Sequence, residues 1–431
     1  MGKRESPKRI AMISTHGYVA ARPPLRAPDT GGQVVYVLEL AKKLAQFGYK
    51  VDIWTRRFED QPEKDVVDDN VRVIRMPCGG REFIPKEYLY REIPEWVQNA
   101  LHYIERRRLK YHVVNSHYWD GGMAGQQLGE ALGLPHLHTP HSIGTWKKQQ
   151  MEVDFADDPD SLEEKYNFSA RIRHERLIYH GCARVIATTL VQLDKLRSDY
   201  EVPASQIRVI PPGYDENRFS PVNHATREAI RERLGFKGKV IFSLARLVHS
   251  KGFDLLLSAF RLVAERHKDA NLVLGVGADE RSESEEVLYR ELLKLRHEHG
   301  LEDRVRFTGY VSDEDLPDYY RGADLFVLSS RYEPFGMAAI EAIASGTPTV
   351  VTTHGGLCRV LNCGEHVLSA DPFDREEFGT TMLKGLYDEH LRDRMKQEGA
   401  RVARTLFAWP HVAQQYSEMI PPVCARNPHS S

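Results

Sequence analysis

The sequence predicts an α/β protein made of two doubly wound parallel-sheet domains. Three observations predict it. Short apolar runs alternate with helical stretches along the whole chain, the order that gives parallel sheets joined by right-handed crossovers. The alternation breaks once, at the Pro/Gly-dense stretch from Pro211-Pro212-Gly213 to Pro221, and then restarts. With 431 residues, 41% apolar and 28% charged, each half is large enough to bury its own core.

The elements follow in order. Residues 10–13 form a first apolar strand. After a Gly/Pro-rich loop, a helix over about 33–47 puts Val34, Val37, Leu38, Ala41 and Leu44 on one face, and Gly48 reads as its cap. Strands at 51–55, 71–74, 113–115, 136–138 and 184–187 continue the first half. An amphipathic helix over 95–111 carries Arg106-Arg107-Arg108 near its end. Cations suit that end of the helix dipole, so the run is read as a solvated helix end and not as a nucleic-acid contact. The second half has strands at 240–243, 271–274, 305–307, 324–328 and 348–352. A last helix within 405–425 is expected to pack back on the first domain, and residues 427–431 to fray. The expected domains are therefore 1–215 with that helix, and 216–404.

Composition narrows the function. A net charge of -2 excludes a general polyanion binder. The five cysteines, Cys78, Cys182, Cys358, Cys363 and Cys424, are odd in number and form no C-x-x-C pair, so neither a disulfide framework nor a zinc site is expected. No apolar run approaches the ~20 residues of a membrane span, and residues 1–9 lack the apolar centre of a signal peptide. A cytoplasmic protein with no membrane and no nucleic-acid partner is expected.

The loops after the strands carry the chemistry. In Arg331-Tyr332-Glu333-Pro334-Phe335-Gly336-Met337-Ala338-Ala339-Ile340-Glu341, Glu333 falls in a tight loop and Glu341 in the following helix. Backbone N–H groups of Phe335 to Met337 would lack helical partners and could face an anion. Glu341 lies too far along to cap the helix, so a polyol hydroxyl suits it; a solvated helix glutamate is the plainer alternative. Asp29-Thr30-Gly31-Gly32-Gln33 opens the first helix with two glycines, either for close approach of a ligand or as an ordinary cap. Arg246 and Lys251 leave the first strand of the second half where a diphosphate would lie, with surface ion pairing as the alternative. His117, His138 and His141 lie in two further strand-end loops. Their spacing matches no usual zinc pattern, so hydroxyl recognition is favoured, with a core role open for His138. Lys86, Lys147, Arg171 and Arg173 would form a second anion site if they converge. Gly275-Val276-Gly277 starts like a dinucleotide motif, but Glu280 stands where the third glycine would, so it reads as a turn.

Taken in order, Asp29-Thr30-Gly31-Gly32-Gln33, His141-Ser142, Arg246 with Lys251-Gly252, and Glu333-Pro334-Phe335-Gly336 to Glu341 resemble the retaining nucleotide-sugar glycosyltransferases built from two facing Rossmann-like domains. The resemblance covers nearly the whole chain. It is nearest the sucrose-phosphate synthase branch. Phe83-Ile84-Pro85-Lys86-Glu87-Tyr88-Leu89, Asn115-Ser116-His117-Tyr118-Trp119-Asp120 and Thr353-His354-Gly355-Gly356-Leu357 resemble those members that make mannosylfructose phosphate.

This resemblance implies an interdomain active-site cleft and transfer of a hexosyl group from a nucleotide sugar to fructose 6-phosphate. GDP-mannose is the favoured donor and UDP-glucose the alternative. Arg246 and Lys251 would hold the donor diphosphate and Glu341 its ribose. Glu333 and the backbone of Phe335, Gly336 and Met337 would hold the donor sugar, with His141 beside it. Gly32 and Gln33 would lie between donor and acceptor. His117 would help bind the acceptor, and Lys86, Lys147 and Arg171 its 6-phosphate; Arg173 stands beside Arg171, but the pattern there calls for a single arginine. No cofactor and no protein-bound metal are implied, beyond a stimulation by Mg2+. The phosphatase domain fused in some larger relatives is missing, which points to a separate sugar phosphatase as partner. Two other classes fit less well. A nicotinamide dehydrogenase would need a complete G-x-G-x-x-G. A silent sugar-phosphate binder would need Lys86 and Lys147, but not Arg246, Lys251 and Glu341.

Overall fold

Alternate residues of the first strand go to opposite apolar cores. Ile10 and Met12 join one cluster, with the helices Gly32–Gln46 and Trp409–Met419, while Ala11 and Ile13 join another, with Ile93–Arg106 and Tyr118–Leu132. A strand buried on both faces reads as an unbroken apolar run, which is why the sequence announces it. The chain, seen in a computed structural model that describes residues 7–23, 32–152, 159–276 and 281–420, divides into two compact units. The first takes residues 1–188, 192–211 and 409–431; the second takes 189–191 and 212–408.

The first unit holds β1 (Arg9–Ile13), β2 (Lys50–Arg57), β3 (Lys64–Val66), β4 (Val71–Pro77), β5 (Val113–His117), β6 (His136–Thr139), β7 (Arg184–Ala187) and β8 (Ile207–Val209). They are ordered β3-β4-β2-β1-β5-β6-β7-β8, all parallel except the β3–β4 pair. The second unit holds β9 (Lys239–Ala245), β10 (Ala270–Val276), β11 (Val305–Phe307), β12 (Leu325–Val327), β13 (Thr349–Thr352) and β14 (Leu368–Ala370). Their order is β11-β10-β9-β12-β13-β14 and every pairing is parallel. Here too the strand residues split: Val240, Phe242 and Phe326 face one core, Ile241, Leu325 and Val327 the other. Each unit is the doubly wound fold the sequence predicts.

Some expectations shift. The helix expected over 95–111 runs only Ile93–Arg106. Arg108 takes a left-handed φ of 52°, and the Leu109 N–H turns back to the Ile104 carbonyl. The first unit gives way at Pro211, before the expected 215, because Tyr214 donates to the Phe407 carbonyl and bridges Ala408 within the second unit. The helix within 405–425 begins as a member of the first unit only at Trp409. The expected fraying of 427–431 falls outside the described residues.

Candidate active site

Ligands of doubly wound sheets bind beyond the carboxyl ends of the strands, where the strand order reverses. In the first unit that point lies between β1 and β5. In the second it lies between β9 and β12. The loops leaving β1 and β5, and those leaving β9 and β12, are therefore the places to look.

Beyond β1 and β5, Thr15 Oγ1 donates to Asp120 Oδ2 at 2.6 Å, and His16 Nδ1 lies 2.9 and 3.0 Å from the two Asp120 oxygens. All three are buried. Ser14 Oγ, at the same strand end, accepts from Gln33 Nε2 at 3.1 Å, which draws in the start of helix Gly32–Gln46, with Gly32 exposed at its first position. Asp29, Thr30 and Gly31 of that motif lie outside the described residues, as do Gly277 and Glu280. His16 and Asp120 escaped the sequence reading. Their signal was positional: each follows a strand that flanks the reversal.

One strand further, β6 ends at Thr139 and His141 follows with a φ of 59°. His141 Nε2 lies 2.9 Å from His117 Nδ1, and the Tyr36 ring meets it edge-on at 4.8 Å. Burial, with the charge of His16, pushes the His141 pKa down to about 3, so the ring is neutral. His117 is fully buried and also pushed far below its usual range, by burial and then by His141 and His138. The expected role of His117 as an acceptor ligand is corrected here: the side chain backs His141 and has no exposed surface. His138 is likewise fully buried. It shares Ser116 Oγ with His136, at 2.8 and 2.6 Å, and is a core residue.

The cationic group is partly reassigned. Arg171 is buried, with Nε on Glu175 at 2.8 Å, Nη1 on Tyr118 Oη at 3.1 Å and Nη2 on the Ser142 carbonyl at 2.8 Å. It braces the His141-Ser142 loop and is not a free phosphate ligand. Arg173, two positions along the helix Phe168–Gly181, is exposed. Lys86 lies 3.4 Å from Glu87, and the Glu87 carbonyl accepts from Asn167 at 2.9 Å. Lys147 sits over the neighbouring Tyr166 ring at 4.2 Å. The turn at 166–167 thus gathers the Lys86 loop, Lys147 and the start of the arginine helix.

In the second unit, Lys251 Nζ donates to Glu333 Oε2 at 2.6 Å, and Ser330 Oγ donates to the same oxygen at 3.0 Å. Arg246 is exposed and makes no hydrogen bond or ion pair among the described residues. Gly252 follows Lys251 at φ 65°, and a Cβ there would stand 2.2 Å from the Ser329 carbonyl oxygen, so only glycine lets the two loops lie so close. Arg331 ties them again. Its guanidinium grips Asp254 through two bonds, of 2.7 and 2.6 Å, and reaches the His249 carbonyl at 3.1 Å. Burial opposes ionisation of Asp254, but the Arg331 bonds and charge outweigh it and lower its pKa.

Gly336, at φ 104°, opens the helix Met337–Ala344. The N–H groups of Phe335, Gly336 and Met337 find no acceptor among the described residues. Inside that helix Glu341 accepts from Tyr320 Oη at 3.0 Å, and burial raises its pKa to about 7. Among the described residues no group of three or more His, Cys, Asp or Glu side chains is placed to hold a metal ion, and no helix is long and apolar enough to cross a membrane.

This arrangement has close parallels in known proteins. Residues 226–402 match the family model described as glycosyl transferases group 1, and residues 31–213 match a glycosyl transferase 4-like domain. The chain is 60% identical over 412 residues to the mannosylfructose-phosphate synthase of Agrobacterium fabrum, covering 96% of this chain and 91% of that one. It is 32% identical over 419 residues to the D-inositol 3-phosphate glycosyltransferase of Corynebacterium glutamicum, covering 95% and 96%. Among solved structures, the sucrose-phosphate synthase of Thermosynechococcus elongatus superposes with a TM-score of 0.83 at 29% identity, over 96% of this chain and 98% of that one.

Proposed function

The chain belongs to the family of two-domain group 1 glycosyltransferases, and from that premise we propose that it moves a mannosyl group from GDP-mannose to fructose 6-phosphate. The product is mannosylfructose phosphate, with the donor configuration retained. The observation that carries this reading is the 60% identity, along almost the full length, to a mannosylfructose-phosphate synthase.

The geometry supports a division of labour. Arg246 and Lys251 take the diphosphate, placing positive charge where the leaving group gains negative charge. Glu341 accepts from ribose hydroxyls. Glu333 and the open N–H groups of Phe335, Gly336 and Met337 hold the donor sugar, with His141 beside it and Gly32 and Gln33 at the reacting atoms. Lys86, Lys147 and Arg173 hold the 6-phosphate. Retention by double displacement needs a nucleophilic carboxylate and a partner acid about 5–5.5 Å away. Glu333 is instead bound to Lys251 and Glu341 to Tyr320. Same-face attack therefore fits better, with a leaving-phosphate oxygen taking the proton of the acceptor hydroxyl. The two cations do the work a metal ion does elsewhere, so the reaction proceeds without one. A separate phosphatase then removes the product phosphate.

Incubation with fructose 6-phosphate and either GDP-mannose or UDP-glucose, with products identified by mass and anomeric configuration, tests the reading. Retained mannosylfructose phosphate is expected. Preferential turnover of UDP-glucose would give sucrose phosphate instead, the second reading, which the likeness to the Thermosynechococcus enzyme favours. Turnover of neither donor would reject both.

Two predictions follow from the side chains. Arg173→Ala should raise the KM for fructose 6-phosphate about tenfold or more at unchanged stability. Arg171→Ala should instead strand the buried Glu175 and cost about 3–5 kcal/mol of stability. Unchanged KM in the first variant, or unchanged melting in the second, would reverse the assignment. Glu341 loses its charge as pH falls through about 7. The KM for the nucleotide sugar should therefore rise about tenfold between pH 8 and 6, and Glu341→Gln should flatten that dependence. A flat wild-type profile would remove Glu341 from the ribose.

A further inference from the structure

The histidine pair has two ways to share one proton. His117 Nδ1 and His141 Nε2 are 2.9 Å apart, and in neutral rings only one of those nitrogens carries hydrogen. The other His117 nitrogen, Nε2, is buried with no hydrogen-bond partner among the described residues. If His141 were the donor, His117 would carry its own proton on Nε2, leaving a buried N–H with nothing to receive it. If His117 donates from Nδ1, Nε2 is a bare lone pair. Proteins tolerate an unpaired acceptor more readily than an orphaned N–H.

We propose that His117 is a positioning residue that fixes His141 as the Nδ1–H tautomer, so that His141 meets the transferred sugar as a hydrogen-bond donor to a hydroxyl oxygen. The inference rests on the reading that His141 lies beside that sugar. Burial keeps both rings neutral, so the tautomer is the property left to set.

The surroundings hold the pair in register. Tyr36 meets the two rings edge-on, at 4.8 Å from His141 and 5.7 Å from His117, and Trp409 packs on Tyr36 at 5.2 Å. Tyr36 Oη lies 2.8 Å from Tyr416 Oη, which lies 2.8 Å from Thr139 Oγ1. Thr139 stands two residues before His141. The same tyrosine hydroxyl thus fixes the ring beside the pair and the strand end that leads into His141.

The test uses the full chain labelled with 15N-histidine and long-range 1H–15N spectra, in which the two neutral tautomers give distinct patterns. The His141 signals are those lost in His141→Gln. The Nδ1–H pattern is expected. His117→Phe should convert it to a mixture or to the Nε2–H form, and should cut kcat at least tenfold while leaving the KM for fructose 6-phosphate within about twofold. His117→Asn, whose side-chain N–H stands where the Nδ1–H stood, should restore the pattern and most of the rate. An Nε2–H pattern in the unaltered chain would overturn the proposal. So would a His117→Phe variant that melts earlier yet keeps both the pattern and kcat. The expected pattern with full turnover by His141→Gln would overturn the placement of His141 beside the sugar, while the tautomer assignment stands.

Discussion

Acidification to pH 5 should unfold the first unit and leave the second folded. His117, His136 and His138 are fully or nearly fully buried, and burial holds each neutral: His136 at about 3, the other two well below their usual range. An unfolded histidine takes its proton near pH 6.5. Between pH 6.5 and about 3 the unfolded chain thus binds more protons, and stability falls with pH across that window. At pH 5 each histidine costs about 2 kcal/mol and the three together about 6 kcal/mol, a large part of a domain's usual 5–15 kcal/mol.

Two aspartates of the second unit respond in another window. Burial opposes ionisation of Asp324, but Arg231, the Val240 N–H and Arg227 outweigh it, so its pKa is lowered. Asp254 behaves alike. Their contribution is intact above the unfolded carboxylate value near 3.9 and disappears only as pH falls through their lower folded values. All five tryptophans, Trp54, Trp96, Trp119, Trp146 and Trp409, belong to the first unit. Their fluorescence should shift to the red between pH 6 and 4.5 while much of the far-ultraviolet dichroism persists. An emission spectrum unchanged down to pH 4.5 would contradict the account.

The second large effect separates two cations that the sequence treats alike. Arg246→Ala should cut kcat about 10²–10³-fold and leave melting unchanged, because the side chain is exposed and makes no hydrogen bond or ion pair among the described residues. Lys251→Ala should lose a similar factor in rate and also destabilise the second unit by about 3 kcal/mol, because Glu333, only 8% exposed, would lose its ion-pair partner. Melting curves and steady-state rates on both variants decide the matter. Near-normal turnover by Arg246→Ala would remove the diphosphate site from this loop.

The sequence disclosed the strands and their loops because the physics there is local. A strand buried on both faces is an apolar run, and the residues after it stand at the ligand edge; hence Arg246, Lys251, Glu333 and His141 could be picked out. The short strand β3, with its exposed Lys64 and Val66, offers no such run and went unseen. Pairings across the chain were also invisible. Nothing near His16 announces Asp120, and nothing near Arg331 announces Asp254. Arg171 is a different case, since its fate was written locally. Arg171 and Glu175 stand four apart on one helix, the spacing of a side-chain pair, whereas Arg171 and Arg173 cannot face the same way. His117 misled because a histidine in a strand-end motif reads as exposed, and only the packing of Tyr36 and the strand beneath shows it is not.

The hydroxyl chain through Tyr416 bears on how the protein is made. Trp409, Val412, Ala413, Tyr416 and Ile420 belong to the same apolar cluster as Ile10, Val34 and Leu40. On the ribosome, the segment that opens this cluster emerges first and the segment that closes it emerges last, after the whole of residues 212–408. At about 5–20 residues per second, the first unit waits on the order of 10–40 s with one wall of its core missing. The unit begun first is finished second, and the nascent chain must be kept from aggregating through that interval.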